Sequence, residues 1–113
     1  IVSLDEARPA DSWRWAGPDW RAHRRTDGVT AIVGAELQAD DPAAMAARWG
    51  EVLARPVETR DDGTLRIALD DGELRFVPER DGRGDGLGAI DLRAAPGQRP
   101  RELSLCGTRV RVV

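Results

Sequence analysis

The sequence predicts an α+β fold in which one main helix packs against a sheet of short strands. Two patterns support this prediction. Most apolar residues after position 28 alternate with polar ones, which is the period of strands with one buried face. The segment after Asp41 instead repeats apolar residues at helical spacing. One helix against an antiparallel or mixed sheet is an α+β arrangement, and 113 residues suit one domain.

A tryptophan-rich arm of residues 1–27 is predicted to precede a domain that takes residues 28–113. Gly17 and Pro18 interrupt any helix in this arm. Trp13 and Trp15 alternate, which predicts a short strand with both indole rings on one face. The rings could stack on a flat ligand or pack against the sheet or a partner, and packing is the favoured interpretation.

The first strand of the domain is predicted from Val29 to Leu37. Strict alternation puts Gly34 and Glu36 on one face of this strand, and Ala35 and Leu37 on the other.

The main helix is predicted to begin at Asp41-Pro42, because aspartate is a good N-cap and proline suits the first helical position. Pro56 is expected to end the helix by disfavouring helical geometry at Arg55. One apolar stripe follows the helical period: Met45, Trp49, Val52 and Leu53.

Short strands separated by turn signals follow the helix. Asp61-Asp62-Gly63 and Asp70-Asp71-Gly72 predict hairpin turns. They frame a strand over 64–69 and precede one over 73–77. A glycine-rich loop over 80–86 leads to a strand over 87–93, and a closing hairpin is expected around Gly107. Alternating apolar positions define these strands: Leu65, Ile67, Leu69, Leu74, Phe76, Leu103, Leu105, Val110 and Val112.

Composition excludes several classes of function. The net charge is −3 with both signs interspersed, which argues against binding to nucleic acid or an anionic membrane. No run reaches the roughly 18 apolar residues of a membrane-spanning helix. Every basic residue except one histidine is arginine, a bias expected of a GC-rich bacterial genome. The chain begins at Ile1 rather than Met, so we expect a piece of a longer protein.

A single cysteine, Cys106, excludes an intrachain disulfide and a multi-cysteine zinc site. We expect it to be a small core thiol, and a reducing cytoplasm fits this cysteine usage.

The succession of segments resembles the vicinal-oxygen-chelate superfamily of glyoxalases, bleomycin-resistance proteins and extradiol dioxygenases, and more closely the bacterial glyoxalase-like domain proteins. The resemblance covers roughly residues 28–113. It implies a βαβββ module with a curved mixed or antiparallel sheet and one main helix, plus extra strands. Five segments carry it: I-V-G-A-E-L-Q-A-D-D-P-A-A-M-A-A-R-W-G-E-V-L, G-T-L-R-I-A-L, G-E-L-R-F-V-P, G-L-G-A-I-D-L and L-C-G-T-R-V-R-V.

The same resemblance implies that this chain lacks the metal site of its metal-dependent relatives. Those proteins carry His, Glu or Gln on strands that face a cleft. Their histidine positions correspond to Gly34 and Ala89, and their glutamate position corresponds to Arg75. Glycine and alanine offer no ligand atom, and arginine repels a cation. We therefore expect no metal and no other cofactor.

Alternation places Gly34, Glu36, Arg75, Ala89 and Asp91 on one face of the sheet. In a functional interpretation, Arg75 holds an anionic or carbonyl group while Glu36 or Asp91 acts as a base. In the alternative, which is favoured, Glu36 and Arg75 pair as structural charges or lie in solvent. The candidate ligand-binding residues are Glu36, Arg75, Asp91, Trp13 and Trp15.

Three functions are compatible with this pattern. The preferred one is a metal-independent module that binds an unknown small molecule. The alternatives are a glyoxalase-type lyase or isomerase whose metal ligands lie outside this sequence, and a structural half-domain for dimerisation. Whether the chain is an enzyme stays open. A single module leaves an open sheet edge, so we expect a homodimer or pairing with another module of the parent protein, in a bacterial cytoplasm.

Overall fold

The computed structural model describes residues 6–9 and 12–113 and confirms the α+β class. A short 3₁₀ turn at Arg14–Ala16 precedes the regular elements. These are α1 (Trp20–His23), β1 (Val29–Ala39), α2 (Pro42–Leu53), β2 (Glu58–Thr59), β3 (Leu65–Ala68), β4 (Glu73–Pro78), β5 (Gly86–Ala94), β6 (Arg101–Leu105) and β7 (Thr108–Val112). The strands form one open mixed sheet in the order β2-β3-β4-β1-β5-β7-β6.

Helix α2 begins where the sequence predicts. The side chain of Asp41 accepts a hydrogen bond from the Ala44 amide at 3.0 Å, and Pro42 takes the first helical position. The helix ends at Leu53, before the predicted end, because Ala54 adopts a left-handed conformation with φ of 51°. The amide of Arg55 then bonds the Gly50 carbonyl at 3.0 Å and closes the helix end.

The hydrophobic core lies between α2 and one half of the sheet, where α2 packs against β3, β4 and β1. Phe76, Ile67 and Ala46 are its fully buried centre. Burial of a side chain the size of Phe76 or Ile67 stabilises the fold by about 1.5–3 kcal/mol. Six partly buried residues pack around this centre: Leu37, Met45, Trp49, Leu53, Leu65 and Leu74.

The two halves of the sheet repeat one connectivity. Strand β1 pairs in parallel with β4, and β5 pairs in parallel with β7. The two first strands, β1 and β5, lie antiparallel at the centre. A pseudo-two-fold axis between β1 and β5 therefore relates β1-β3-β4 to β5-β6-β7. The halves differ in the crossover, because the connection over 95–100 takes the place of α2 in the second half.

The missing second helix leaves apolar side chains half-buried on β5 and β7 and exposed on β6, all on the α2 side of the sheet. Ile90, Val110 and Leu103 lie side by side there by strand register. Leu103 is 43% exposed, and Leu105 on the edge strand β6 is 58% exposed. We call this surface of Ile90, Val110, Leu103 and Leu105 the apolar face.

Two local predictions are wrong. Trp13 and Trp15 do not form a strand, because the Ala16 amide bonds the Trp13 carbonyl at 3.0 Å and closes the 3₁₀ turn. Cys106 is exposed rather than buried. It shares a tight two-residue hairpin turn with Gly107, both at positive φ (50° and 81°), which points the thiol away from the core.

No helix among residues 6–9 and 12–113 is long and apolar enough to cross a membrane.

Candidate functional site

Charged residues cover the side of the sheet opposite α2, which we call the charged face. Strand register arranges its centre in two adjacent rows that run across β4, β1, β5 and β7. The first row is Arg75, Glu36, Ala89 and Arg109. The second row is Glu73, Gly34, Asp91 and Arg111. Alternation in the sequence correctly places Glu36, Arg75 and Asp91 together on one face.

Arg75 links β4 to β5 across the intervening strand β1. Its Nη2 lies 2.5 Å from Asp91 Oδ2, and its Nη1 lies 2.8 Å from Glu73 Oε1. Nη2 is fully buried, and its contact with Asp91 is an ion pair without hydrogen-bond alignment. Gly34 lies beneath this bridge, because a Cβ at position 34 would sit 2.7 Å from Asp91 Oδ2 and 3.3 Å from Arg75 Nη1.

Arg111 makes the corresponding bridge from the other side. It reaches from β7 across β5, with Nη2 3.1 Å from Glu36 Oε2 and Nε 2.7 Å from Asp91 Oδ1. Arg109 also crosses β5 to contact Glu36 Oε1, passing the small side chain of Ala89. All four oxygens of Glu36 and Asp91 therefore contact a guanidinium group. The predicted pairing of Glu36 with Arg75 is wrong in its partners, although both residues are paired structural charges.

The pseudo-two-fold axis relates these bridges to one another. Because Gly34 is opposite Asp91 and Glu36 is opposite Ala89, the rotation exchanges Gly34 with Ala89 and Glu36 with Asp91. It also exchanges Arg75 with Arg111, since these face Glu36 and Asp91 in register. Each arginine crosses the neighbouring central strand to reach the carboxylate of the other half. The ion pairs thus join the two halves of the sheet.

Glu73 extends the network towards the β2 edge. Arg60 Nη1 lies 2.9 Å from its Oε1 and Arg66 Nη1 lies 3.3 Å from its Oε2. Burial alone would raise the pKa of Glu73. Hydrogen bonds from Arg75 and Arg66, with the charge of Arg60, outweigh burial and hold that pKa below its usual range.

A cleft of about 380 Å³ opens above the ion pairs, and we call it the charged cleft. Its volume is at the small end of the range of ligand pockets. Its floor includes the buried Glu36 and Asp91. The full lining is Glu36, Arg60, Asp62, Thr64, Arg75, Val77, Arg80, Asp91, Arg111 and Val113.

The loop over 79–85 carries Arg80 to the rim of this cleft. Gln38, which is 3% exposed, anchors the loop by donating from Nε2 to Asp81 Oδ1 at 2.6 Å and to the Gly84 carbonyl at 3.1 Å. Arg83 also donates to Asp81 Oδ2 at 2.6 Å. The hydrogen bonds from Arg83 and then Gln38 lower the pKa of Asp81. Arg80 is exposed and makes no ion pair or hydrogen bond with any described residue.

Two of the predicted site residues lie elsewhere. Trp13, 59% exposed, lines a separate pocket with Trp20 and His23 in the N-terminal arm. Trp15, 76% exposed, lines another next to Arg8. The structure therefore does not bring these tryptophans to the charged cleft.

Sequence reasoning missed the arginines of the second half and of the rim. Arg109 and Arg111 alternate with Val110 and Val112, which were predicted only as apolar strand positions. The alternation places both arginines on one face, and this signal was available in the sequence.

Comparison with solved structures identifies the fold. The chain is similar to a methylmalonyl-CoA epimerase from Mycobacterium tuberculosis, at 13% identity and a TM-score of 0.55, over 79% of this chain and 90% of that one. It is also similar to a xylose isomerase-like TIM barrel/4-hydroxyphenylpyruvate dioxygenase fusion protein, at 15% identity and a TM-score of 0.57, over 79% of this chain. The chain has the vicinal-oxygen-chelate fold. No protein-family model and no curated protein matches the sequence.

A third similar structure is a hypothetical protein from Staphylococcus aureus, at 14% identity and a TM-score of 0.60 over 74% of this chain. The chain spans 32% of that protein's length and 20% of the fusion protein's length. At these identities the likeness extends to the vicinal-oxygen-chelate fold alone.

The residues present do not fit the metal site that the resemblance to metal-dependent vicinal-oxygen-chelate proteins implies. Gly34 and Ala89 supply no ligand atom, and the oxygens of Glu36 and Asp91 are already engaged by arginines. Burial would lower the pKa of Arg75, but its contacts with Glu73 and Asp91 raise it. A fixed positive charge therefore lies between the two halves. Among the described residues, no three His, Cys, Asp or Glu side chains are grouped to hold a metal ion.

Proposed function

We propose that this chain is a small-molecule-binding module of the vicinal-oxygen-chelate fold that works without a metal ion. One observation carries the proposal: the charged cleft lies above carboxylates whose cationic partners are Arg75, Arg109 and Arg111. The resemblance supports this proposal, because it places Arg75 at the position where metal-dependent members carry a ligand glutamate. The cleft keeps an accessible volume above the guanidinium groups.

The ion pairs disfavour a role for Glu36 or Asp91 as a general base. A base needs a free lone pair within reach of the proton that it removes. Each carboxylate oxygen here contacts a guanidinium group, and both side chains are nearly buried, at 6% and 8% exposed. Binding without turnover is therefore the function that the geometry supports best.

A fragment screen by two-dimensional NMR tests this proposal. Protein treated with a chelator is titrated with small polar fragments of either charge and of none. We expect saturable amide shifts at Thr64, Val77 and Arg80, which line the cleft. Shifts that appear only after metal is added would favour the alternative of a glyoxalase-type lyase or isomerase with ligands from outside this sequence. The absence of any saturable shift at the cleft would contradict binding there.

We also propose that the apolar face pairs with a second copy or with another module of the parent protein. Strand β6 is an exposed edge strand, and Leu103 and Leu105 lie on it. Unpaired edges with apolar side chains favour association. Light scattering over a range of concentrations tests this proposal, since a stable monomer at the highest concentration would contradict self-pairing.

We infer a reducing bacterial cytoplasm as the setting, from a single exposed thiol at Cys106 and a composition that has arginine but no lysine. Cell fractionation of the source organism tests this inference, and recovery from an extracytoplasmic fraction would contradict it.

A further inference from the structure

We propose that the charged cleft takes a small monocarboxylate with a short apolar body, held by Arg80 and Arg60. This inference rests on the proposed function and names the ligand class. It assigns recognition to two rim arginines rather than to Arg75.

The charge of the cleft favours an anion. Four arginines and three carboxylates line it, which leaves one positive charge in excess. The whole chain has a net charge of −3, so the cleft differs in sign from the molecule around it. A cleft with a local excess of positive charge concentrates anions. An excess of one charge suits a monoanion better than a dianion such as phosphate.

Only some of these arginines are free to bind a ligand. Arg75 and Arg111 are held by Glu73, Asp91 and Glu36, and the unaligned Nη2 of Arg75 is buried beyond reach of a ligand. Arg60 contacts Glu73 through Nη1, while its side chain stays 42% exposed. Arg80 is exposed and has no described partner.

Arginine suits this recognition because its planar guanidinium matches a carboxylate with two parallel hydrogen bonds. Gln38 anchors the loop over 79–85, which carries Arg80, through Asp81. A neighbouring cleft of about 370 Å³ shares Arg60 and Asp62 with the charged cleft but is lined entirely by polar side chains: Thr59, Arg60, Asp61, Asp62 and Arg66.

Two valines in the charged cleft indicate the rest of the ligand. Val77 and Val113 line it beside the arginines. An aliphatic body against these side chains would bury apolar area, while the carboxylate stays at the rim. The cleft volume of about 380 Å³ limits the aliphatic part of the ligand to a small size.

Titration of isotope-labelled protein with butyrate, butyramide, butylamine and inorganic phosphate tests the inference. These probes share a size but differ in charge, apart from phosphate. We expect saturable shifts with butyrate at the cleft amides and about 10-fold weaker binding of the neutral amide. Arg80→Gln should weaken butyrate binding about 5–10-fold. Arg99→Gln, an exposed arginine outside the cleft, should leave it unchanged.

Three results would overturn the inference. Equal binding of butyrate and butyramide that is insensitive to Arg80→Gln would show that the cleft binds a small molecule but does not recognise its carboxylate. Tighter binding of phosphate than of butyrate would show that the cleft does not prefer a monoanion. If butyrate does not shift the cleft amides, the ligand class proposed here is wrong. Saturable shifts with a fragment of another charge would then still support the proposed function. Failure of every fragment would contradict both the ligand class and the proposed function. Arg80 has no partner in the described fold, so loss of folding should not obscure the Arg80→Gln result.

Discussion

Arg75 Nη2 lies 2.5 Å from Asp91 Oδ2 although the two residues belong to strands that do not touch. Strand β1 separates them, and Gly34 of β1 lies directly below the contact. The missing side chain at position 34 removes a possible metal ligand and also leaves the space that the ion pair needs. The ion pair between Arg75 and Asp91 therefore depends on glycine at position 34.

Gly34→Ala is expected to destabilise the protein by about 1–3 kcal/mol, the usual cost of overpacking. The new Cβ would meet Asp91 Oδ2 at 2.7 Å, and that carboxylate is held by two arginines. Gly28→Ala is the matched control, because a Cβ there has nothing within 4 Å. Urea unfolding measures both variants. Equal stability of the two variants would show that the ion pair above Gly34 can shift without a loss of free energy of unfolding.

A double-mutant cycle on Arg75 and Asp91 measures the bridge between the two halves. Arg75→Met leaves a largely buried carboxylate short of one partner, and we expect a coupling energy of about 1–3 kcal/mol from the cycle with Asp91→Asn. Arg111→Met should destabilise to a similar extent, because the pseudo-two-fold axis gives it the equivalent place. The exposed pair Arg48–Glu51 serves as control, with about 0.5 kcal/mol or less expected. Coupling as weak as that of the control pair would contradict a structural bridge.

Glu73→Gln is expected to change how stability depends on acid pH. The pKa of Glu73 is below its unfolded value in the folded protein. Its ionised form therefore stabilises the fold above that unfolded value, and this stabilisation is lost as pH falls through the folded pKa. The variant should be less stable than the wild type at pH 7, and the difference should shrink in acid.

Unfolding free energies across the acid range, from neutral to below the unfolded value of about 4.3, measure this change. Glu102→Gln is the control, since the side chain of Glu102 is exposed and makes no hydrogen bond or ion pair with any described residue. A stability difference that stays constant with pH would argue that Glu73 acts through packing rather than through its charge.

Leu105→Lys is expected to weaken any association through the apolar face, since it places a charge on the exposed edge strand β6. Val52→Lys on α2 is the control, because Val52 is also an exposed apolar residue, at 39% against 58% for Leu105. Sedimentation or light scattering compares their masses in solution. Loss of association in the Val52 variant alone would indicate that the interface lies on α2 and not on the apolar face.

Local rules in the sequence predict much of this fold. The N-cap at Asp41 and the glycine turns at Gly63 and Gly72 depend on neighbouring residues, so the main helix and the hairpins can be found without tertiary information. Alternation likewise places Glu36, Arg75 and Asp91 on one face, because side chains alternate along each strand.

The partners of these charges depend on strand order, which no local pattern contains. Arg109 and Glu36 are 73 residues apart and meet only because β5 pairs in parallel with β7. The register shift between Ile32 and Gly34 in the pairing of β1 with β5 also has no signal in the alternation, which continues through it. The prediction of a strand at Trp13 and Trp15 is wrong for a different reason, because an alternation of only two residues is too short to outweigh a local turn.

Metal analysis of the purified protein tests the central claim most directly, namely that Arg75 and Arg111 provide the positive charge between the two halves. The protein is incubated with equimolar zinc, nickel and iron, passed through gel filtration, and analysed for metal per chain. We predict far less than one equivalent of each metal and an unfolding temperature that chelator does not change. Stoichiometric retention of any of these metals, with a lower unfolding temperature after chelation, would contradict the account.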